Sequence, residues 1–143
     1  MNPKYQKKWL LLIIISVVAL SLTAAIPTTG PSSPWRGAWW SIDIYDGSLQ
    51  KVVFGGGSQG LFNYIDWGAS VCGTDTNGNP LYAAHASGVA DTVNGTSFTG
   101  SAPVVCMTHP PTTFDPNFPF SWTYDPATDT LSGFSSTWTR TRP

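Results

Sequence analysis

The chain contains no glutamate, and beyond residue 25 it contains a single lysine, Lys51. Glu and Lys are common on the exposed faces of helices, so their scarcity argues against a helical domain. Asp, Asn, Gly, Pro and Thr are frequent instead, and these residues favour turns and strands. The abundant aromatic and β-branched residues argue against a disordered chain. We therefore expect residues 26–143 to form one all-β domain with its own core.

Positive charge is also scarce beyond the N-terminus. Residues 26–143 hold four basic side chains against eight Asp, which leaves a net charge of −4. Proteins that bind nucleic acids rely on clustered Lys and Arg to contact phosphates. The charge balance therefore predicts no nucleic-acid partner.

The N-terminus has the composition of a secretory signal peptide. Three lysines precede an apolar run over residues 9–22, and Ala25 ends a stretch of small residues suited to a cleavage site. We expect residues 1–25 to be a signal peptide and the remaining chain to be secreted or otherwise extracytoplasmic. The alternative is an uncleaved anchor, with membrane contact only through residues 9–26. The signal peptide is favoured because a spanning helix needs about 20 apolar residues, and this stretch is shorter.

Cysteine occurs twice, at Cys72 and Cys106. In an exported chain, two cysteines most simply form one disulfide. Structural zinc takes four ligands, and His85 and His109 do not have the spacing of a zinc finger. The sequence therefore predicts a disulfide that closes a loop of about 35 residues, with no metal and no cofactor.

Turn residues recur about every 8–15 residues, which is typical of an all-β sandwich or barrel. Residues 26–34 have the composition of a polar linker, and residues 35–143 contain about eight predicted strands. Eight strands can close into a small antiparallel barrel, with a β-sandwich as the alternative. The segment 109–119 holds four prolines and is expected to be irregular. Asn94 begins a formal glycosylation sequon that we interpret first as a β-turn.

The first predicted strand, residues 38–45, alternates clearly between two faces. Trp40 shares its face with Ala38 and two isoleucines, while Trp39 shares the other with a serine, Asp43 and Tyr45. The two neighbouring tryptophans must therefore point to opposite sides of the sheet. One of them lies outside the common core unless both faces of the sheet are covered.

The residues Gly37-Ala38-Trp39 at the start of this strand resemble the G-x-W signature of the calycin superfamily, which includes lipocalins, fatty-acid-binding proteins and avidins. Arg140, near the C-terminus, resembles the arginine that packs across that tryptophan in lipocalins. The turn Asp46-Gly47-Ser48 lies roughly where avidins have a Gly-Ser turn. The resemblance implies a small β-barrel in which Trp39 points inward beneath Arg140. It does not extend to biotin binding, because the later tryptophans that contact the ligand in avidins have no clear counterpart.

Two function classes remain open. The motifs G-x-S-x-G, H-E-x-x-H and C-x-x-C are absent, so we expect a non-enzymatic protein. Our first hypothesis is an exported β-barrel that binds a small apolar or sugar-like ligand in its mouth. The alternative is a structural or interaction module at the cell surface that uses an exposed aromatic patch. The candidate ligand-binding residues are aromatic: Trp39, Trp40, Tyr45, Tyr64, Trp67 and Trp122.

Overall fold

A computed structural model describes residues 34–55, 60–92 and 95–143 of the chain. The predicted signal peptide or anchor, nearly all of the predicted linker, and Asn94 lie outside these residues. The helical content of the described residues is one short 3-10 turn, Ser70–Cys72. No helix in this part of the chain is long and apolar enough to span a bilayer.

Eight antiparallel strands form one sheet, in which each strand pairs with its neighbours in sequence. The strands are β1 (Gly37–Ile42), β2 (Leu49–Gly55), β3 (Gly60–Asp66), β4 (Ala84–Thr92), β5 (Ser97–Cys106), β6 (Thr112–Asp125), β7 (Thr130–Gly133) and β8 (Ser136–Trp138). The end of the chain returns to β1, where the backbone groups of Trp40 and Thr139 exchange hydrogen bonds of 2.8 and 2.9 Å. The sheet therefore forms a nearly closed barrel, which confirms the predicted all-β class and the strand number.

The first strand is shorter than predicted. It ends at Ile42 because Asp43 begins a turn: its amide donates to the Ser48 carbonyl over 2.8 Å, and its Oδ1 accepts the Tyr45 amide over 2.7 Å. Asp and Gly favour such turns because Asp accepts local amides and Gly tolerates a positive φ, which at Gly47 is 75°. The residues that follow Ile42 therefore lie outside the sheet.

The segment expected to be irregular is largely a strand, and the expectation was wrong from Thr112 onward. Strand β6 continues through Pro116 and Pro119, both of which are exposed. Its register against β5 shifts twice between Ala102 and Val105. The first shift falls at Pro116 and allows this residue without an amide hydrogen to remain in the sheet, whereas Pro119 stays in register opposite Ser101.

Aromatic rings fill much of the barrel interior. Phe54 and Phe62 contact the Trp122 ring at centroid distances of 5.1 and 5.3 Å, in edge-to-face orientations that aromatic pairs favour. Strand β4 makes room for them because it presents small residues inward. A side chain at Gly88 would place its Cβ 3.0 Å from the Phe62 ring. The large rings of neighbouring strands thus pack against a wall of alanine and glycine.

Cys72 and Cys106 form a disulfide, as predicted, with their Cα atoms 5.4 Å apart. The bond joins the connection between β3 and β4 to the last residue of β5. Cys106 is buried. Because such bonds persist in oxidising compartments, the disulfide indicates an extracytoplasmic environment.

Candidate ligand-binding cavity at one end of the barrel

The two ends of the barrel are filled differently. Trp35, just before β1, is buried, and its ring centroid lies 5.0 Å from that of Phe98 and 5.6 Å from that of Phe54. Its indole therefore packs over the core at the end where β1 begins. At the opposite end, where β1, β3, β5 and β7 finish, a partly enclosed cavity of about 190 Å³ lies among the strands and loops.

The cavity has an apolar wall and a polar wall. Four phenylalanines, two alanines and two valines form the apolar wall; the phenylalanines are Phe114, Phe118, Phe120 and Phe134. The polar wall consists of Asp43, Tyr45, Gln50, Tyr64 and Asp66. None of these lining residues is basic, so the cavity combines an aromatic surface with an acidic one.

Gln50 organises the polar wall. Its Nε2 donates to Asp43 Oδ2 over 2.7 Å and to Asp66 Oδ2 over 3.3 Å. The two carboxylate acceptors fix the orientation of the amide group, because a flipped amide would place Oε1 next to both carboxylates, where it could not accept a hydrogen bond. Gln50 is only 2% exposed, and its Oε1 has no hydrogen-bond partner among the described residues. A buried acceptor left unpaired costs about 1–3 kcal/mol, and Gln50 is one of the residues that line the cavity.

Asp66 is held in place by several donors. Ser48 Oγ donates to its Oδ1 over 2.6 Å, and the Gly68 amide donates to the same oxygen over 3.0 Å. The Tyr64 hydroxyl makes a long contact of 3.5 Å with Oδ2. Burial, followed by the charges of Asp66 and Asp43, raises the pKa of Tyr64 above its ordinary value. The phenol is therefore neutral at physiological pH.

The carboxylates near the cavity have opposite pKa shifts. Burial, together with the neighbouring charges of Asp46 and Asp66, raises the pKa of Asp43 above its ordinary value. Burial acts in the same direction on Asp46, but hydrogen bonds from Ser70 and Ser48 outweigh it and lower the pKa of that group. The raised pKa of Asp43 thus comes first from burial and second from its two acidic neighbours.

The structure distributes the six predicted ligand-binding residues over three places. Tyr45 and Tyr64 line the cavity. Trp39 and Trp122 are fully buried in the core. The remaining two, Trp40 and Trp67, stack with ring centroids 5.8 Å apart and planes 10° apart, and Trp67 is 47% exposed to solvent. Ligand contact by these six residues stays a prediction.

Sequence reasoning did not single out Gln50 and Asp66 as site residues. A usable indication was nonetheless present in the alternation of β2 and β3. Gln50 occupies an inward-facing position in series with Val52 and Phe54, and Asp66 does so after Tyr64. A polar residue at the end of an inward-facing apolar series marks the point where packed core gives way to a cavity.

The predicted fold-signature residues come together at the end of the barrel opposite the cavity. Arg140 Cζ lies 3.5 Å from the centroid of the Trp39 ring, and the guanidinium donates to the backbone carbonyls of Arg36 and Pro34. Gly37 has a φ of 102°, and a Cβ there would lie 3.2 Å from Arg140 Nη1. The resemblance to calycins implies this arrangement of Trp39 and Arg140. Membership of the calycin superfamily stays a prediction.

Comparisons with protein-family models, curated proteins and solved structures find no match for this chain. Among residues 34–55, 60–92 and 95–143, no three His, Cys, Asp or Glu side chains are grouped so as to hold a metal ion.

Proposed function

We propose that this protein is an exported, non-enzymatic β-barrel that binds a small ligand in the cavity at one end. The observation that carries the proposal is the cavity itself, in which an apolar wall faces a few convergent polar groups. This combination is typical of small-molecule sites, as is a location in the mouth of a barrel. The resemblance to calycins supports the same function.

The size of the cavity limits the ligand. Its volume of about 190 Å³ is below the 300–1,000 Å³ usual for drug-sized ligands. The proposed ligand is therefore a compact molecule of roughly ten non-hydrogen atoms. Export through a cleaved signal peptide over residues 1–25 completes the proposal, with an uncleaved anchor over residues 9–26 as the alternative.

A fragment screen read by ¹H–¹⁵N NMR tests the proposed function. We expect fragments of about ten non-hydrogen atoms to shift the amide signals of cavity residues such as Gln50 and Val104. Two matched variants of the exposed β3–β4 connection complete the test. Val71 lines the cavity and Leu81 does not, so Val71→Trp should abolish these shifts and Leu81→Trp should preserve them. A screen in which no fragment shifts the cavity signals would overturn the proposal.

A second candidate function rests on the stacked pair of Trp40 and Trp67 on the outer surface. Lys51 Nζ lies 4.8 Å from the Trp40 ring centroid, which places a cation beside two aromatic rings. Such a patch could contact a partner at the cell surface. In the same screen, shifts confined to Trp40, Lys51 and Trp67 would favour this interaction module over the cavity.

A further inference from the structure

We infer that the ligand of the cavity is a protonated amine, with a primary ammonium group on a small aromatic or aliphatic body. The inference rests on the proposed function, because it names the chemical class of ligand for that same site. It combines three observations: an unpaired acceptor, two carboxylates without a basic neighbour in the lining, and an aromatic wall.

Hydrogen-bonding capacity in the polar wall favours a donor. Gln50 Oε1 is buried and lacks a partner among the described residues. Asp43 accepts hydrogen bonds from the amides of Tyr45 and Asp46 and from Gln50 Nε2. Since a carboxylate offers about four acceptor positions, Asp43 retains unused capacity. A primary ammonium group carries three donors and no acceptor, which matches a wall that needs donors.

Charge in the polar wall favours a cation. Asp66 is 4% exposed, and neither Asp43 nor Asp66 has a basic side chain beside it in the cavity lining. A buried carboxylate is costly unless an opposite charge or several donors compensate for it. Ser48, Gly68 and Gln50 donate to Asp66 and stabilise its carboxylate locally, but no basic side chain in the lining balances the combined charge of Asp43 and Asp66. An ammonium ion in the cavity would supply the missing opposite charge.

The opposite wall selects an organic cation over a metal ion. Phe114, Phe118, Phe120 and Phe134 give this side of the cavity an apolar, aromatic surface. Ring faces attract ammonium groups, and ring edges and faces pack against a hydrocarbon body. A metal ion would use oxygen ligands and would leave this surface without a partner.

Three probes with the same skeleton test the inference: 2-phenylethylamine, 2-phenylethanol and 3-phenylpropionate. We expect the amine to bind about 10- to 100-fold more tightly than the alcohol at pH 7, the effect of a charge-assisted hydrogen bond, and the acid not to bind. Titration calorimetry gives the affinities, and NMR shifts at Gln50 and Val104 show that binding occurs in the cavity.

A charge-neutral variant separates the local effect from net charge. Asp43→Asn should weaken amine binding about tenfold or more and leave alcohol binding unchanged. The matched control is Asp125→Asn, which removes the same charge from the β6–β7 turn at the opposite end of the barrel. Circular dichroism of both unliganded variants shows whether they are folded. If a variant does not fold, the comparison of the three probes on the unmutated chain still tests the inference.

The outcomes distinguish this inference from the proposed function. Equal affinity for amine and alcohol at the cavity would refute the amine while leaving a small-ligand barrel intact. Binding of the acid alone would do the same. Failure of every probe and of every neutral fragment to shift cavity signals would overturn both. Calcium binding at the cavity, with no response to the amine, would also refute the inference.

Discussion

Replacing Arg140 tests what holds the barrel together where the chain enters and leaves it. The guanidinium lies over the buried Trp39 ring, with Cζ 3.5 Å from its centroid, and donates to the carbonyls of Arg36 and Pro34. Its Nε is also 3.5 Å from Asp129 Oδ2. One side chain thus joins the segment before β1, strand β1 itself and the β6–β7 turn.

The contacts differ in strength. A cation–π contact contributes about 0.5–2 kcal/mol, and hydrogen bonds from a charged donor contribute about 1.5–3 kcal/mol. The ion pair with Asp129 adds under about 1 kcal/mol, because both side chains are partly exposed, at 32% and 55%. We expect Arg140→Ala to lower the free energy of unfolding by about 2–4 kcal/mol. Arg140→Lys should cost nearly as much, since an ammonium group cannot stack as a plane and reach both carbonyls.

Denaturant unfolding followed by tryptophan fluorescence and circular dichroism gives these values. Trp39→Leu should cost about 2–4 kcal/mol, and a double-mutant cycle with Arg140→Ala should give a coupling energy of about 0.5–2 kcal/mol. Arg142→Ala is the control, because that guanidinium lies 5.5 Å from the Trp40 ring on the outside of the barrel. A lysine variant as stable as the unmutated chain, or effects that simply add, would refute the reasoning.

Three further predictions concern the covalent, acid and export properties of the chain. Cys72→Ser should lower the free energy of unfolding by about 2–4 kcal/mol. In the unmutated protein, thiol titration after unfolding without reduction should detect no free thiol. Hydrogen bonds from Ala127 and Thr128 lower the pKa of Asp125, so its stabilising contribution is present above the unfolded value of 3.8 and is lost as pH falls through the folded value. The melting temperature should therefore fall more steeply below about pH 4 in the unmutated chain than in Asp125→Asn; equal slopes would contradict this. Intact mass of the exported protein should show the loss of residues 1–25, whereas a full-length, membrane-bound product would support the anchor.

Local rules in the sequence were sufficient for the all-β class, the number of strands and the disulfide, but not for all strand boundaries or for which face of β1 is inside. Its alternation separates Trp39 from Trp40 correctly, yet the more polar set faces the interior. Ser41 is buried there because its Oγ donates to the Thr137 carbonyl over 2.9 Å. Ile42, on the more apolar face, is exposed. A hydroxyl satisfied by a distant strand is not visible in a local pattern.

The cavity could not be predicted because it depends on register between strands. Gln50 and Asp66 are directly paired positions on β2 and β3, and Asp43 reaches them from the turn after β1. Two of the four phenylalanines in the apolar wall, Phe114 and Phe118, come from the part of β6 that the prolines led us to expect as irregular. Sequence periodicity gives the faces of each strand, whereas pairing register is set by the assembled sheet.

The seam between β1 and β8 has a consequence for self-association. Along the described seam, backbone pairing is the single bridge between Trp40 and Thr139, and the hydroxyls of Ser41 and Ser136 donate to carbonyls across it. An unpaired strand edge is a template for another chain. With these hydroxyls removed, the barrel could open into a sheet with two free edges, and β8 could then pair with β1 of a second copy. The two serine hydroxyls thus add to the Trp40–Thr139 bridge in protecting this edge from strand exchange.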